Sequence, residues 1–295
     1  MKTLYFDCFS GISGDMVIGA LIDAGADPNI LVEELKKLHL EDEYEITWKK
    51  IVKNGITSTK FDVSLKQHTH NHQHNHGHEH AHHHDHDHHH EHNHHHEHDH
   101  EHDHDHEHNH ENDHGHHHHH DHDHHHRAYQ DIVKLIEEAG FSDHVKETAL
   151  KIFKKIGEAE GNIHGIPLEK VHFHEVGAID SIIDIIGAAI LIHQLEISTV
   201  KASPVPVGTG RIHIDHGIYP VPAPATLEIL KGVPIEQSDM RAELTTPTGA
   251  AIVAVLVEEF CSLPSMKVQS IGYGAGTKTF KDRPNVLRVV IGESK

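Results

Sequence analysis

The segment Thr3-Leu4-Tyr5-Phe6-Asp7-Cys8-Phe9-Ser10-Gly11-Ile12-Ser13-Gly14-Asp15-Met16 decides the fold class. Residues 3–6 read as a short buried strand, and the glycines and hydroxyl residues that follow read as a turn. From Asp15 the spacing Met16, Ala20, Leu21, Ala24 puts one apolar face on a helix that ends near Gly25. Strand, turn and helix within 25 residues open an α/β (or α+β) fold.

Working outward, Pro28 opens a second helix with Ile30, Leu31, Leu35 and Leu38 at helical spacing. Tyr44, Ile46 and Trp48 alternate with polar residues, as do Phe61, Val63 and Leu65, and Asn54-Gly55 between them predicts an antiparallel hairpin. Beyond Arg127 a helical pattern runs to Gly140, Ser142 caps another through about Glu160, and a strongly apolar helix spans residues 179–195. Residues 200–207 read as a strand, placed at a sheet edge by Pro204 and Pro206. Residues 222–230 and 247–259 read as helices, and 268–271 and 286–291 as closing strands. The expectation is a mixed sheet with flanking helices, formed by residues 1–67 and 127–295.

Residues 68–126 interrupt that core. They hold 35 of the chain's 43 histidines and 14 acidic residues, with no lysine or arginine. The formal charge of −21 is therefore −14 in the tract and −7 elsewhere. Nothing in the tract can build a core, so a disordered surface insert is expected in the absence of metal. Imidazole is the commonest transition-metal ligand, and runs such as His82, His83, His84 and His116, His117, His118, His119, His120 suit Ni, Zn, Co or Cu. An expansion without a selected role is the competing reading. The acidic balance argues against nucleic acid, and no apolar run approaches the ~18 residues of a membrane span, so a cytoplasmic location is expected. Two cysteines exclude a disulfide framework.

Five segments outside the tract carry candidate chemistry. Ser10, Gly11, Ser13 and Gly14 before a helix present backbone N–H groups and a positive dipole end to an anion; Thr246, Thr248 and Gly249, at another helix start, cap that helix or bind phosphate. Asp7 at a strand end suits a metal or hydroxyl contact; Asp15 is a further metal candidate, or simply a helix cap. In Val171-His172-Phe173-His174-Glu175-Val176-Gly177-Ala178-Ile179-Asp180, His172 and His174 share a face if extended, and Asp180 and Asp184 share a face of the following helix. His172, His174, Glu175 and Asp180 thus suit a divalent ion or acid–base work; the competing reading makes Asp180 a helix-start acid and His172 a satisfied, partly buried histidine. Gly208-Thr209-Gly210-Arg211 and Gly272-Tyr273-Gly274-Ala275-Gly276-Thr277-Lys278 read as flexible loops with one cation each, useful for a phosphate or ordinary as turns.

The chain resembles the LarC-type nickel-insertion proteins. The resemblance rests on residues 5–16, His172-Phe173-His174-Glu175-Val176-Gly177-Ala178-Ile179-Asp180-Ser181, Thr245-Thr246-Pro247-Thr248-Gly249-Ala250 and Gly272-Tyr273-Gly274-Ala275-Gly276, with a His-rich insert before the second motif. It implies a nickel-inserting chelatase of the lyase class. The substrate would be pyridinium-3,5-bisthiocarboxylic acid mononucleotide and the product the nickel-pincer cofactor of lactate racemase-type enzymes. It also implies CTP with Mg²⁺ or Mn²⁺, associated with a C-terminal domain for which no residues remain before Lys295. A C-terminal partner segment is therefore expected, and a homo-oligomer is compatible with the sequence. His174, Glu175 and Asp180 are the candidate catalytic groups. The alternative is a nickel metallochaperone or store.

Overall fold

The computed structural model describes residues 1–66, 127–173, 178–214 and 217–294. In chain order the elements are β1 Lys2–Asp7, α1 Gly14–Asp23, α2 Pro28–Leu35, β2 Tyr44–Lys53, β3 Ile56–Leu65, α3 Tyr129–Glu138, α4 Asp143–His164 and α5 Ile179–Gln194. They continue with β4 Thr199–Ala202, β5 Val205–Pro206, β6 Arg211–Ile214, β7 Gly217–Pro220, α6 Pro224–Ile229, β8 Ile235–Glu236, α7 Pro247–Leu256, β9 Glu259–Phe260, β10 Met266–Ala275 and β11 Val286–Ser294. Seven strands form one mixed sheet in the order β2-β3-β10-β11-β1-β4-β9. Strands β1, β3, β4, β9 and β10 run one way, β2 and β11 the other. The α/β expectation holds.

The central strands are apolar because the helices cover them. Leu4 and Phe6 of β1 sit in register with Ile291 and Val289 of β11, and all four belong to the main core. Helix α5 is buried along most of its length, with Ile182, Ile183 and Ile186 fully enclosed. Helix α1 lies on β10 and β3 at a distance that only glycine permits. A Cβ at Gly274 would stand 1.8 Å from the Met16 carbonyl oxygen, and one at Gly272 would stand 2.1 Å from that of Ala20. These glycines are therefore not the flexible loop read from the sequence: they lie inside β10, where their missing side chains let a helix backbone approach.

The hairpin is as expected, with Asn54 and Gly55 both at positive φ between β2 and β3. Ser142 caps α4 by accepting from the Val145 N–H at 3.4 Å. The edge placement of residues 200–207 does not hold. Strand β4 ends at Ala202 and lies between β1 and β9, while Pro206 belongs to β5, which pairs with β8 in a separate two-stranded sheet. The prolines thus fall outside the main ladder and constrain nothing in it.

Candidate functional site: an acidic cleft at the carboxyl ends of the strands

Strands β1, β3 and β10 end at the same edge of the sheet, the edge where α/β proteins build ligand sites. Here two turns meet. The Ile12 N–H donates to the Leu244 carbonyl at 3.1 Å, and the Thr246 N–H donates to the Ile12 carbonyl at 3.1 Å. Gly11, at φ +96°, and Gly249 make this pairing possible, since a Cβ on either would stand about 2 Å from a carbonyl oxygen of the opposite turn. Ser10 is buried and donates to the Pro284 carbonyl at 2.8 Å. Of the residues read from the sequence as anion-binding, Ser10, Gly11 and Gly249 therefore hold the walls together. Ser13, Gly14, Thr246 and Thr248 line a cleft of about 370 Å³.

The cleft is acidic. Asp15, Asp62, Asp180, Asp184 and Glu243 all line it, against the single ammonium of Lys60. Lys60 is nearly enclosed, and its Nζ meets Asp15 Oδ2 at 2.7 Å, Asp62 Oδ1 at 2.7 Å and the Phe61 carbonyl at 2.9 Å. These three contacts occupy its three N–H donors. Burial opposes its charge, but Asp15 and Asp62 outweigh burial and hold the ammonium above its usual range. Asp15 is engaged on both oxygens, by the Ser13 hydroxyl and by Lys60.

Asp184 is the exception among these groups. It lies one turn beyond Asp180 on α5, packed against Gly14, where an added Cβ would come within 2.5 Å of its Oδ2. Its carboxyl accepts from the Asp15 backbone N–H, yet Oδ1 is sealed from solvent and has no partner among the described residues. Burial first, then the charges of Asp15 and Asp180, push its pKa well above the carboxylate range, against smaller opposing effects from Lys60 and the backbone bond. It is held as the neutral acid to a higher pH than an ordinary aspartate.

The remaining candidates are not among the described residues that line the cleft. Asp7 pairs with Arg288 across the β1–β11 register and is not among the cleft-lining residues. His172 is exposed in an extended segment bridged to Ala128, with Val171 and Phe173 buried on either side. His174, Glu175 and the whole histidine tract, including His82–84 and His116–120, lie outside the described residues. Among the described residues no group of three His, Cys, Asp or Glu side chains is arranged to hold a metal ion. Cys8 is enclosed, and burial pushes its thiol up to about 12, which removes it as a nucleophile. Lys60, Asp62 and Glu243 were not singled out from the sequence.

Fold and site together define an α/β protein with a small-molecule-sized, net acidic cleft at the carboxyl ends of its parallel strands. The chain belongs to the nickel insertion protein family, whose description, "Nickel insertion protein", matches residues 4–295. It is 47% identical, over 99% of its length, to the pyridinium-3,5-bisthiocarboxylic acid mononucleotide nickel insertion protein of Geobacillus kaustophilus. It is 46% identical over 100% of its length to the protein of the same name from Clostridium kluyveri, and 42% over 100% to that of Staphylococcus epidermidis. The chain covers 60%, 63% and 60% of those relatives' own lengths, respectively. No solved structure matches it. Among the described residues, no helix is long and apolar enough to cross a membrane.

Proposed function

We propose that this chain carries the nickel-insertion site for pyridinium-3,5-bisthiocarboxylic acid mononucleotide and that the acidic cleft is where nickel and the pyridinium ring meet. The observation supporting this is the charge of the cleft. Four carboxylates, with the Asp184 carboxyl held neutral beside them, face one ammonium whose donors are all engaged, so the cleft attracts a divalent cation and offers bases. Insertion breaks the ring C–H bond, and its electron pair becomes the carbon–nickel bond. The two sulfurs donate to the same ion, and the proton passes to a carboxylate. No oxidant is needed. Asp180, exposed on the cleft wall, is the described candidate for the base; His174 and Glu175, a few residues earlier in sequence, are the others, with His172 a candidate nickel ligand. CTP with Mg²⁺ or Mn²⁺ belongs to this proposal as a co-substrate held by a further segment, and so does classification as a lyase-class chelatase.

The test is incubation of the chain, together with the further segment proposed to hold CTP, with the mononucleotide and Ni²⁺, with and without CTP, followed by absorbance and mass. Nickel incorporation is expected for the wild-type chain, and loss of at least 100-fold for Asp180→Asn and His174→Ala with bulk nickel binding unchanged. Wild-type activity in both variants would refute the assignment of the base. Nickel binding with no incorporation under any condition would instead favour the storage or delivery role, to which the 35 clustered histidines are equally suited.

A further inference from the structure

The cleft accounts for a cation and offers a phosphate no free cationic side chain, because Lys60 has no free donor. A second recess, of about 430 Å³, is lined by Gly210, Arg211 and Arg241. Two segments are locked side by side to form it. The Thr209 N–H and hydroxyl both donate to the Met240 carbonyl, at 2.8 and 3.1 Å, and the Leu244 N–H donates to the Val207 carbonyl at 3.3 Å. Gly208, at φ +82°, is pressed so closely on the second segment that a Cβ would stand 1.9 Å from the Ala242 carbonyl oxygen. Gly210 opens the space between the arginines, since the nearest atom to a Cβ there is Arg241 Cα at 3.9 Å.

Both arginines are exposed, and neither guanidinium has an ion-pair or hydrogen-bond partner among the described residues. Two guanidinium forks, each with five N–H donors, suit a phosphate dianion better than a lone lysine does. We propose that Arg211 and Arg241 form the binding site for the phosphate monoester of the mononucleotide. This rests on the function proposed above and divides the substrate between two sites. Arg241 stands two residues before Glu243 of the cleft wall, so at most about 7 Å of chain separates the two. One mononucleotide then bridges the recess, by its phosphate, and the cleft, by its ring.

Binding to the full chain, measured by calorimetry at pH 8 where the tract imidazoles are neutral, tests this without requiring turnover. The probes are the mononucleotide, the phosphate-free nucleoside and CTP. The wild type is expected to bind the mononucleotide at least 100-fold more tightly than the double variant R211Q/R241Q does. R211K/R241K should recover part of that affinity, and the phosphate-free nucleoside should bind equally weakly to all three. Circular dichroism should report the same fold throughout, because neither arginine has a structural partner. Mononucleotide affinity that ignores both arginines, or equals that of the nucleoside, overturns the proposal. Arginine-dependent binding of CTP alone assigns the recess to the nucleoside triphosphate and overturns it as well. Arginine-dependent mononucleotide binding in a chain that never incorporates nickel even with the CTP-holding segment supplied would leave this site standing and remove the insertion function.

Discussion

Asp184 shows what a single residue contributes to the cleft. In the sequence it interrupts Ile182, Ile183, Ile185 and Ile186, four side chains that are fully buried, and an acid in that position is legible as a polar group with a task. Lys60 was not legible in the same way. Between Thr59 and Phe61 it has the period of a solvent-facing strand residue, and only Asp15, brought from α1, makes it an enclosed ion-pair partner. Sequence patterns report local periodicity, whereas the charged groups of the cleft come from positions as far apart as Asp15 and Glu243. The raised pKa of Asp184 has a stability consequence. Ionisation costs more in the folded chain than in the unfolded one, so wild-type stability falls as pH rises from the ordinary carboxylate range through the elevated value, with no contribution below it. Asp184→Asn keeps an acceptor for the Asp15 N–H and cannot ionise. Its denaturant midpoint should match the wild type near pH 4 and exceed it increasingly toward pH 8; parallel profiles would show that Asp184 ionises normally.

At the scale of elements, the helices were the readable part. Their apolar stripes and caps, such as Ser142 on α4, are local, and the observed bounds lie within a few residues of those expected. The glycines of β10 were not readable, because the same Gly-x-Gly spacing serves a phosphate loop, a turn or a strand under a close helix. What distinguishes these is the partner, and the partner is α1, some 250 positions earlier in the chain. Gly274→Ala therefore tests the packing directly. Its Cβ would meet a main-chain carbonyl, which cannot rotate away as a side chain does, so α1 must lift off β10. Such overpacking costs about 1–3 kcal/mol or more, read as a lowered urea midpoint. Because the N-terminus of α1 carries Asp15 and contacts Asp184, the same variant should lose nickel incorporation out of proportion to its stability. A wild-type midpoint would mean that the helix stands further from the strand than described.

At the scale of the whole molecule, the histidine tract is the loudest feature of the sequence, and it lies outside the described residues. Its attachment is the informative part. The Lys66 N–H, just before the tract, donates to the Glu43 carbonyl at 2.9 Å, and Arg127, just after it, grips the Glu43 carboxylate at 2.8 and 2.7 Å. The chain departs from the core and returns to it at one residue. A short Gly-Ser linker in place of residues 67–126 therefore has little distance to close, and loop-closure entropy changes only slowly with length. The shortened protein is expected to melt within a few degrees of the full chain. It should lose most of its bulk nickel capacity by metal analysis, and it should insert nickel normally once the ion is saturating. In the full chain, bulk capacity should fall as pH drops below about 6.5, because protonated imidazoles cannot ligate. The shortened chain should lack that dependence. Insertion lost at every nickel concentration would make the tract the obligatory donor to the cleft. Insertion lost only when nickel is scarce would make it a reservoir that stores the ion for a cleft already charged to receive it.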